Sequence, residues 1–325
     1  MKLSIIIPVY NAKKYIDKCL ASVFAIKIDN LEVICIDDGS DDGTNEILNE
    51  YARHHSDLKV MQQMHSGASA ARNYGISVST GDYIFFLDSD DYIAFPNNLI
   101  SILEASAIQQ VDLCIFNALI NGQKIYQDTL PVITQSVSGP EMMKLLYEHC
   151  RTIPTPVWMQ LYKRQFLIDN IFLQKENTYH EDELFTPIVL YNTSRSICLN
   201  IPVVDYQLNR PGAITTQFGE KYYIDWVNIG RDLYDFFIDV KAEEDEPFRQ
   251  VFGVFAQLMD LLISKSIPYR RFLCHNDFTI MHNCARTLYE KRCAKLALVS
   301  SHLYTLYRKE TMPKFVRKII NLLIR

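Results

Sequence analysis

The sequence predicts an α/β fold, in which helices cover both faces of a parallel sheet, followed by a mainly helical C-terminal region. Two patterns predict this architecture. Through the first third of the chain, short apolar runs that favour strands alternate with segments whose apolar residues recur at helical spacing. After about residue 218, long helical patterns dominate. We therefore expect two domains in the 325-residue chain, over residues 1–218 and 219–325.

Each element follows from a local pattern. Strands are predicted at residues 3–9, 31–36, 58–61 and 83–87, with helices between them at 16–24, 44–53 and 68–76. A helix near 96–109 and a strand near 112–117 continue the alternation, and Asn121-Gly122 is typical of a hairpin turn. In the C-terminal region, helical patterns cover residues 222–240, 248–264 and 277–289, and the acidic run 243–246 marks a surface turn.

Composition excludes several classes of protein. The chain is 48% hydrophobic and 22% charged, which suits a sizeable core and argues against disorder and coiled coil. Its formal net charge of −5 does not favour non-specific binding to nucleic acid. The eight cysteines form no C-x-x-C pair and mostly lie in apolar runs, as expected for reduced thiols in a cytosolic protein. No apolar run is long enough to suggest a membrane span.

Acidic residues follow two of the predicted strands. Asp37 and Asp38 come after the second strand, and Asp88-Ser89-Asp90-Asp91 comes after the fourth. In such sheets ligands bind beyond the carboxyl ends of the strands, so we expect both clusters to converge in one crevice. Several carboxylates held together repel one another, and a hard divalent cation such as Mg²⁺ or Mn²⁺ relieves that repulsion. The alternative is a solvated turn without a metal.

The same edge offers groups for a nucleotide. Tyr10, after the first strand, could stack on a base, and an Asp could accept the N–H of uracil. Arg72, on the helix after Ser66-Gly67, could face phosphate; the alternative is a surface salt bridge. The segment 37–44 also has a plain structural interpretation, as a turn and a helix N-terminus that Thr44 caps.

Four segments carry a resemblance to a known family. They are SIIIPVYN at residues 4–11, IDDGSDDGT at 36–44, GASAARNYG at 67–75 and GDYIFFLDSDD at 81–91. In this order they closely resemble family 2 glycosyltransferases with the GT-A fold, a Rossmann-like nucleotide-sugar-binding fold. The resemblance is strong over residues 1–110 and weaker to about 215. It departs from the family at His65, where the family often has Asn.

The resemblance implies roles for residues near the strand ends. By this resemblance, Asp90 would be the metal ligand, and Asp88 and Ser89 would lie near the ribose and phosphate. The uridine and its surroundings are assigned to Pro8, Tyr10, Asp37, Asp38 and Arg72.

Three downstream residues are implied by weaker matches. Asp182, in His180-Glu181-Asp182-Glu183, resembles the general base of the family's acidic motif; the alternative is a helix N-cap with acids in the first turn. Trp158 shapes the sugar or acceptor pocket, or simply packs in the core. Arg210 resembles a residue of the family's closing loop and could engage the diphosphate.

These roles imply an inverting, metal-dependent enzyme. It would move a sugar from a UDP-sugar to a hydroxyl of an oligosaccharide, in a lipid-linked acceptor, during synthesis of bacterial capsule, exopolysaccharide or O-antigen. A nicotinamide oxidoreductase would need G-x-G-x-x-G after the first strand, which is absent. A sugar-nucleotide pyrophosphorylase and a non-catalytic nucleotide-sugar-binding module remain as alternatives.

The segment 312–325 has a different character. Its apolar residues share one helical face, and its Lys and Arg residues lie on the other. Such a basic amphipathic helix can lie in an anionic membrane interface. We therefore expect a cytoplasmic protein with a peripheral contact to the inner membrane face, or else a terminal helix that docks on its own domain.

Overall fold

The computed structural model describes residues 1–208, 219–242, 244–268, 271–299, 304, 307 and 308. The chain divides into two compact units, Met1–Gln217 and Phe218–Arg325. Both Arg210 and the segment 312–325 lie outside the described residues.

The first unit alternates strands and helices as the sequence patterns indicate. Its strands are β1 (Leu3–Val9), β2 (Leu31–Asp37), β3 (Leu58–Gln62), β4 (Tyr83–Phe86), β5 (Tyr92–Ile93), β6 (Leu113–Ile120), β7 (Lys124–Ile125), β8 (Ile133–Val137), β9 (Gln160–Lys163) and β10 (Ser196–Tyr206). Its helices are α1 (Ile16–Phe24), α2 (Thr44–His54), α3 (Ala68–Val78), α4 (Pro96–Gln109), α5 (Gly139–His149), α6 (Arg164–Asp169) and α7 (Glu181–Tyr191).

The sheet is mixed, and the parallel sheet expected from the first four strands forms one part of it. Its order is β3-β2-β1-β4-β9-β6-β10-β5, and the pairs β3–β2, β2–β1 and β1–β4 are parallel, as expected. Strand β9 runs antiparallel between β4 and β6. A short 3-10 turn, Val157–Met159, directly precedes β9, which lies far from β4 in the sequence. Because β9 is not joined to β4 by a βαβ crossover, its direction need not be parallel.

The core lies on both faces of this sheet. Every residue of β1 and β2 is buried, which explains why these strands are continuous apolar runs rather than alternating ones. Helix α1 covers one face with Ile16, Leu20 and Val23, which belong to the same apolar cluster as the strands. Burial on both faces holds the carboxyl ends of the central strands in fixed positions.

Two local expectations have opposite outcomes. Asn121 and Gly122 both have positive φ, 50° and 69°, and join antiparallel β6 and β7, which confirms the hairpin turn. The N-cap of α2 is Gly43, so the assignment of Thr44 as the cap is wrong. Thr44 is instead the first helical residue, and its N–H and hydroxyl donate to Asp42 at 3.0 and 2.5 Å.

The second unit is helical over its described residues. It contains α8 (Glu220–Asp239), α9 (Asp245–Ser264), α10 (His275–Cys284) and α11 (Leu288–Val299). The helix expected over residues 277–289 is wrong as one element, because the chain leaves helical geometry at Ala285, with ψ of 122°. Within the acidic run 243–246, Asp245 and Glu246 already form the first turn of α9. Among the described residues, no helix has both the length and the apolar composition to cross a bilayer.

Candidate active site

A carboxylate cluster follows β4. Oxygens of Asp88, Asp90 and Asp91 lie within 4.8 Å of one another. Among the described residues, no other group of three or more His, Cys, Asp or Glu side chains is placed to hold a metal ion. Asp88 and Asp90 are half-buried and Asp91 is buried. Carboxylate oxygens at this spacing suit Mg²⁺ or Mn²⁺, which prefer hard oxygen ligands. The cluster therefore fits the divalent cation that the sequence predicts.

Asp91 belongs to the acidic run that the sequence predicts as a cation site, although the family resemblance assigns it no role of its own. One of its oxygens, Oδ1, accepts a hydrogen bond of 2.8 Å from the backbone N–H of Gln207. The other, Oδ2, is buried without a hydrogen-bond partner. Burial, and then the charge of Asp88, raise the pKa of Asp91 to about 8. Such an orphaned buried oxygen is consistent with a cation ligand, whose charge would favour the ionised carboxylate.

Tyr10 and Asp38 lie at the ends of β1 and β2, as predicted. The Tyr10 ring stacks on the His65 ring, with centroids 4.2 Å apart. Buried Asp38 accepts backbone N–H bonds from Ser66 at 2.7 Å and Gly67 at 2.9 Å. It also accepts from Gln63 Nε2 at 2.7 Å, and His65 Nδ1 lies 2.9 Å from it. Asp38 thus orders the loop 63–67, a function that sequence reasoning missed.

Gly67 holds a backbone conformation that this loop needs. Its φ of 92° and ψ of 166° lie in a region that only glycine adopts readily. This conformation lets its N–H reach Asp38 immediately before α3 begins. Nearby, buried Asp37 accepts from the N–H of Ser40 at 3.1 Å, and Pro8 is buried within β1.

Arg72 is buried rather than part of a surface salt bridge. Its Nη2 donates to Asp88 at 2.6 Å, and its Nη1 donates to Glu181 at 2.9 Å and to Gln174 at 3.1 Å. Burial alone would lower the pKa of Arg72, but Asp88 and Glu181 hold it above its ordinary value. Arg72 is therefore a cation that joins the carboxylate cluster to the first turn of α7, a connection that sequence spacing does not reveal.

Asp182 lies in that first turn. The N-cap is His180, with φ of 62° and no side-chain cap, and Asp182 is one of three acids in the first turn, as the structural alternative predicts. It accepts an N–H bond of 3.0 Å from Glu183. Burial, and then the charges of Glu181 and Glu183, raise the pKa of Asp182, while Arg72 lowers it. A carboxyl group with a raised pKa is suited to exchange protons near neutral pH.

An aromatic cluster of Tyr126, Trp158 and Tyr206 lies near these acidic groups. Trp158 stacks on Tyr206 with centroids 5.0 Å apart and meets Tyr126 edge-on at 5.2 Å. Burial raises the pKa of Tyr206 to about 12, and the charges of Asp91, Asp88 and Asp182 add to the shift. The carboxylate cluster and Asp182 therefore both lie close enough to the Tyr206 phenol to raise its pKa. Trp158 itself is buried and belongs to the apolar core.

The sequence matches a known protein family and several curated proteins. Residues 4–168, about half of the chain, match the family model described as Glycosyl transferase family 2. A curated relative, the uncharacterized glycosyltransferase YibD of Escherichia coli (strain K12), is 31% identical over 202 residues. The match covers 60% of this chain and 58% of the relative. The chain spans less than two thirds of this and other curated relatives that it matches.

Two solved structures share the fold. S. aureus TarS 1-349 in complex with UDP-GlcNAc has a TM-score of 0.71 at 20% identity, over 95% of this chain and 92% of that one. The mannosyltransferase PcManGT from Pyrobaculum calidifontis, in complex with GDP-Man and Mn²⁺, has a TM-score of 0.54 at 18% identity, over 99% and 85%. At these identities the likeness concerns the fold alone. It confirms the predicted α/β fold of GT-A type with a mainly helical C-terminal region.

Proposed function

Because the chain belongs to glycosyl transferase family 2, we propose that it is a metal-dependent glycosyltransferase that uses a UDP-sugar and inverts the anomeric carbon. The observation that carries this proposal is the bridge formed by Arg72. It joins Asp88 of the carboxylate cluster, at 2.6 Å, to Glu181, the neighbour of Asp182, at 2.9 Å. One buried cation, Arg72, therefore links the carboxylate cluster, which would hold the diphosphate through a metal, to the helical turn that carries the candidate base.

The donor end of the reaction is assigned to the carboxylate cluster. Asp88, Asp90 and Asp91 would hold Mn²⁺ or Mg²⁺, which when bound would neutralise charge on the leaving diphosphate. PcManGT, which shares the fold, is seen with GDP-Man and Mn²⁺. The orphaned Oδ2 of Asp91 supports the assignment from within this chain.

The acceptor end is assigned to Asp182. Its carboxylate takes the proton from the acceptor hydroxyl while that oxygen forms a bond to the anomeric carbon. The bond between that carbon and the diphosphate oxygen breaks with its electron pair, and UDP leaves. Because a single displacement exchanges the two groups on opposite faces, the configuration inverts. Burial raises the pKa of Asp182, which strengthens its carboxylate as a base, and Arg72 opposes that rise.

The nucleoside is assigned to Tyr10, Asp37 and Asp38 at the ends of β1 and β2. A uracil ring would stack on Tyr10, which is 48% exposed, and would donate its N–H to a carboxylate. UDP is favoured because TarS, which has the same fold, is seen with UDP-GlcNAc. Tyr126 and Tyr206, which are half-buried and pack on the buried Trp158, would offer aromatic faces to the sugar. The acceptor would be a hydroxyl of a lipid-linked oligosaccharide, with residues 312–325 as the membrane contact.

The experiment is a donor screen followed by one substitution. We expect the protein to release UDP from at least one UDP-sugar only when Mn²⁺ or Mg²⁺ is present. Asp182→Asn should reduce that release at least about 100-fold, the scale of general base catalysis, and leave UDP affinity unchanged in calorimetry. Asp169→Asn, at an exposed position ending α6, is the matched control and should behave as the parent protein does.

Two results would contradict the proposal. Undiminished UDP release by the Asp182→Asn protein would remove its assignment as the base and leave a donor-binding site. Failure to bind UDP with or without metal would remove the assignment of a UDP-sugar as the donor.

A further inference from the structure

We propose that the His65 side chain occupies the nucleobase site as a self-ligand. A uracil ring must displace this side chain in order to bind. This inference rests on the proposed function and concerns the part of the site formed by Tyr10 and Asp38. His65 is also the position at which the sequence departs from the family pattern.

The first argument is the position of the imidazole ring. It lies on Tyr10 with centroids 4.2 Å apart and planes inclined by 29°. Stacked aromatic rings in proteins have similar separations, and nucleobases use the same faces of Tyr, Phe and Trp. His65 therefore covers a face of Tyr10 that a planar base would use.

The second argument is the hydrogen-bonding capacity of Asp38. A carboxylate offers about four lone-pair sites. Asp38 already has four hydrogen-bond donors around it. They are the backbone N–H groups of Ser66 and Gly67, Gln63 Nε2, and His65 Nδ1 in the tautomer that carries its proton on that nitrogen. A uracil N–H would be a fifth donor, so one of the four has to leave.

His65 is the donor whose departure serves the base best. Moving its side chain frees the Tyr10 face and one Asp38 oxygen at the same time, whereas moving Gln63 frees only an oxygen. The backbone bonds from Ser66 and Gly67 remain, so the loop can keep its conformation. Since the His65 side chain is 60% exposed, it can rotate into solvent without opening the core.

The cost of displacement sets the expected effect. The hydrogen bond from the exposed imidazole to Asp38 and the aromatic stack are each weak, and together they correspond to about tenfold in affinity. The parent protein should therefore bind UDP about tenfold more weakly than a variant in which His65 is absent.

Calorimetry with two probes tests this, using the full chain with Mn²⁺. UDP carries the uridine and inorganic pyrophosphate does not, so the ratio of their affinities reports the uridine site separately from the diphosphate site. In His65→Ala that ratio should rise about tenfold. Met64→Ala is the matched control, because Met64 is 89% exposed in the same loop, and its ratio should equal that of the parent protein.

A second measurement is made on the parent protein, so it does not depend on how well a variant binds. His65 ring protons, assigned in the NMR spectrum by their loss in His65→Asn, should move when UDP saturates the protein and should not move with pyrophosphate.

The outcomes separate the two proposals. An unchanged or lower ratio in His65→Ala, or His65 resonances that ignore UDP, would overturn the self-ligand while leaving the donor site standing. Binding of pyrophosphate without any binding of UDP, in the parent and the variant alike, would overturn the uridine assignment and this inference together.

Discussion

Replacing Arg72 by methionine tests whether the buried bridge holds the active site together. The substitution keeps a long side chain but removes the cation between Asp88 and Glu181. These carboxylates are 28% and 18% exposed, so water compensates their charge only in part. We expect the first unit to lose stability because two partly buried negative charges then face each other.

The size of the loss follows from this geometry. Removing one partner of a buried ion pair typically costs about 3–5 kcal/mol. Partial exposure of both carboxylates places Arg72→Met near the lower end, at about 3 kcal/mol. For a unit of this size, that corresponds to a fall in melting temperature of about 10 °C.

The chain offers a clean readout. Its two tryptophans lie in different units, Trp158 in the first and Trp226 in the second. In a Trp226→Phe background, fluorescence during heating reports the first unit through Trp158. Arg53→Met is the matched control, because Arg53 pairs with Glu50 at the surface of α2 and should cost less than about 1 kcal/mol.

A second substitution separates charge from packing. Glu181→Gln added to Arg72→Met removes one of the two facing charges, so the double variant should be more stable than the sum of the single effects predicts. The reasoning is refuted if Arg72→Met lowers the melting temperature no more than Arg53→Met does, or if the double variant shows only additive effects.

Two further predictions concern a titrating carboxyl group and a close backbone contact. Because the folded-state pKa of Asp91 is raised to about 8, the folded protein retains a proton that the unfolded chain loses above about pH 4, so stability should fall as pH rises from 4 to 8. Asp91→Asn should flatten that fall in melting curves recorded with EDTA; an equally steep fall in the variant would contradict the shift. A Cβ on Gly139 would lie 1.9 Å from the Leu190 carbonyl oxygen, whereas one on Gly253 would meet nothing within 4 Å. Gly139→Ala should therefore cost about 3 kcal/mol in denaturant unfolding, and Gly253→Ala, inside α9, should gain about 0.5–1 kcal/mol. Equal effects of the two alanines would refute the contact.

The sequence predicts the first part of the fold well because its signals are local. Continuous apolar runs and helical spacing place β1–β4 and α1–α4 within a few residues of their observed bounds. Strand β9 could not be placed from the sequence, since the four residues Gln160–Lys163 are too short to indicate a partner or a direction. Its position between β4 and β6, antiparallel to both, is set by tertiary packing.

The candidate site shows the same division. Tyr10, Asp38 and the acidic run after β4 were predicted because strand ends of a parallel sheet share an edge. The partners of Arg72 were not, since Glu181 and Gln174 lie more than a hundred residues further along the chain. Tyr126 was also missed, because nothing in its local sequence distinguishes it from other aromatic residues.

The late insertion of β9 bears on how the chain is made by the ribosome. Until residues 160–163 emerge, the nascent sheet leaves β4, with the sequence YIFF, unpaired along the side that β9 later covers. At cellular elongation rates this interval lasts on the order of ten seconds. An unpaired apolar strand invites pairing with other chains. Synthesis of this protein therefore includes a period of exposure to aggregation, in which chaperones or slow dilution should improve the yield of folded product.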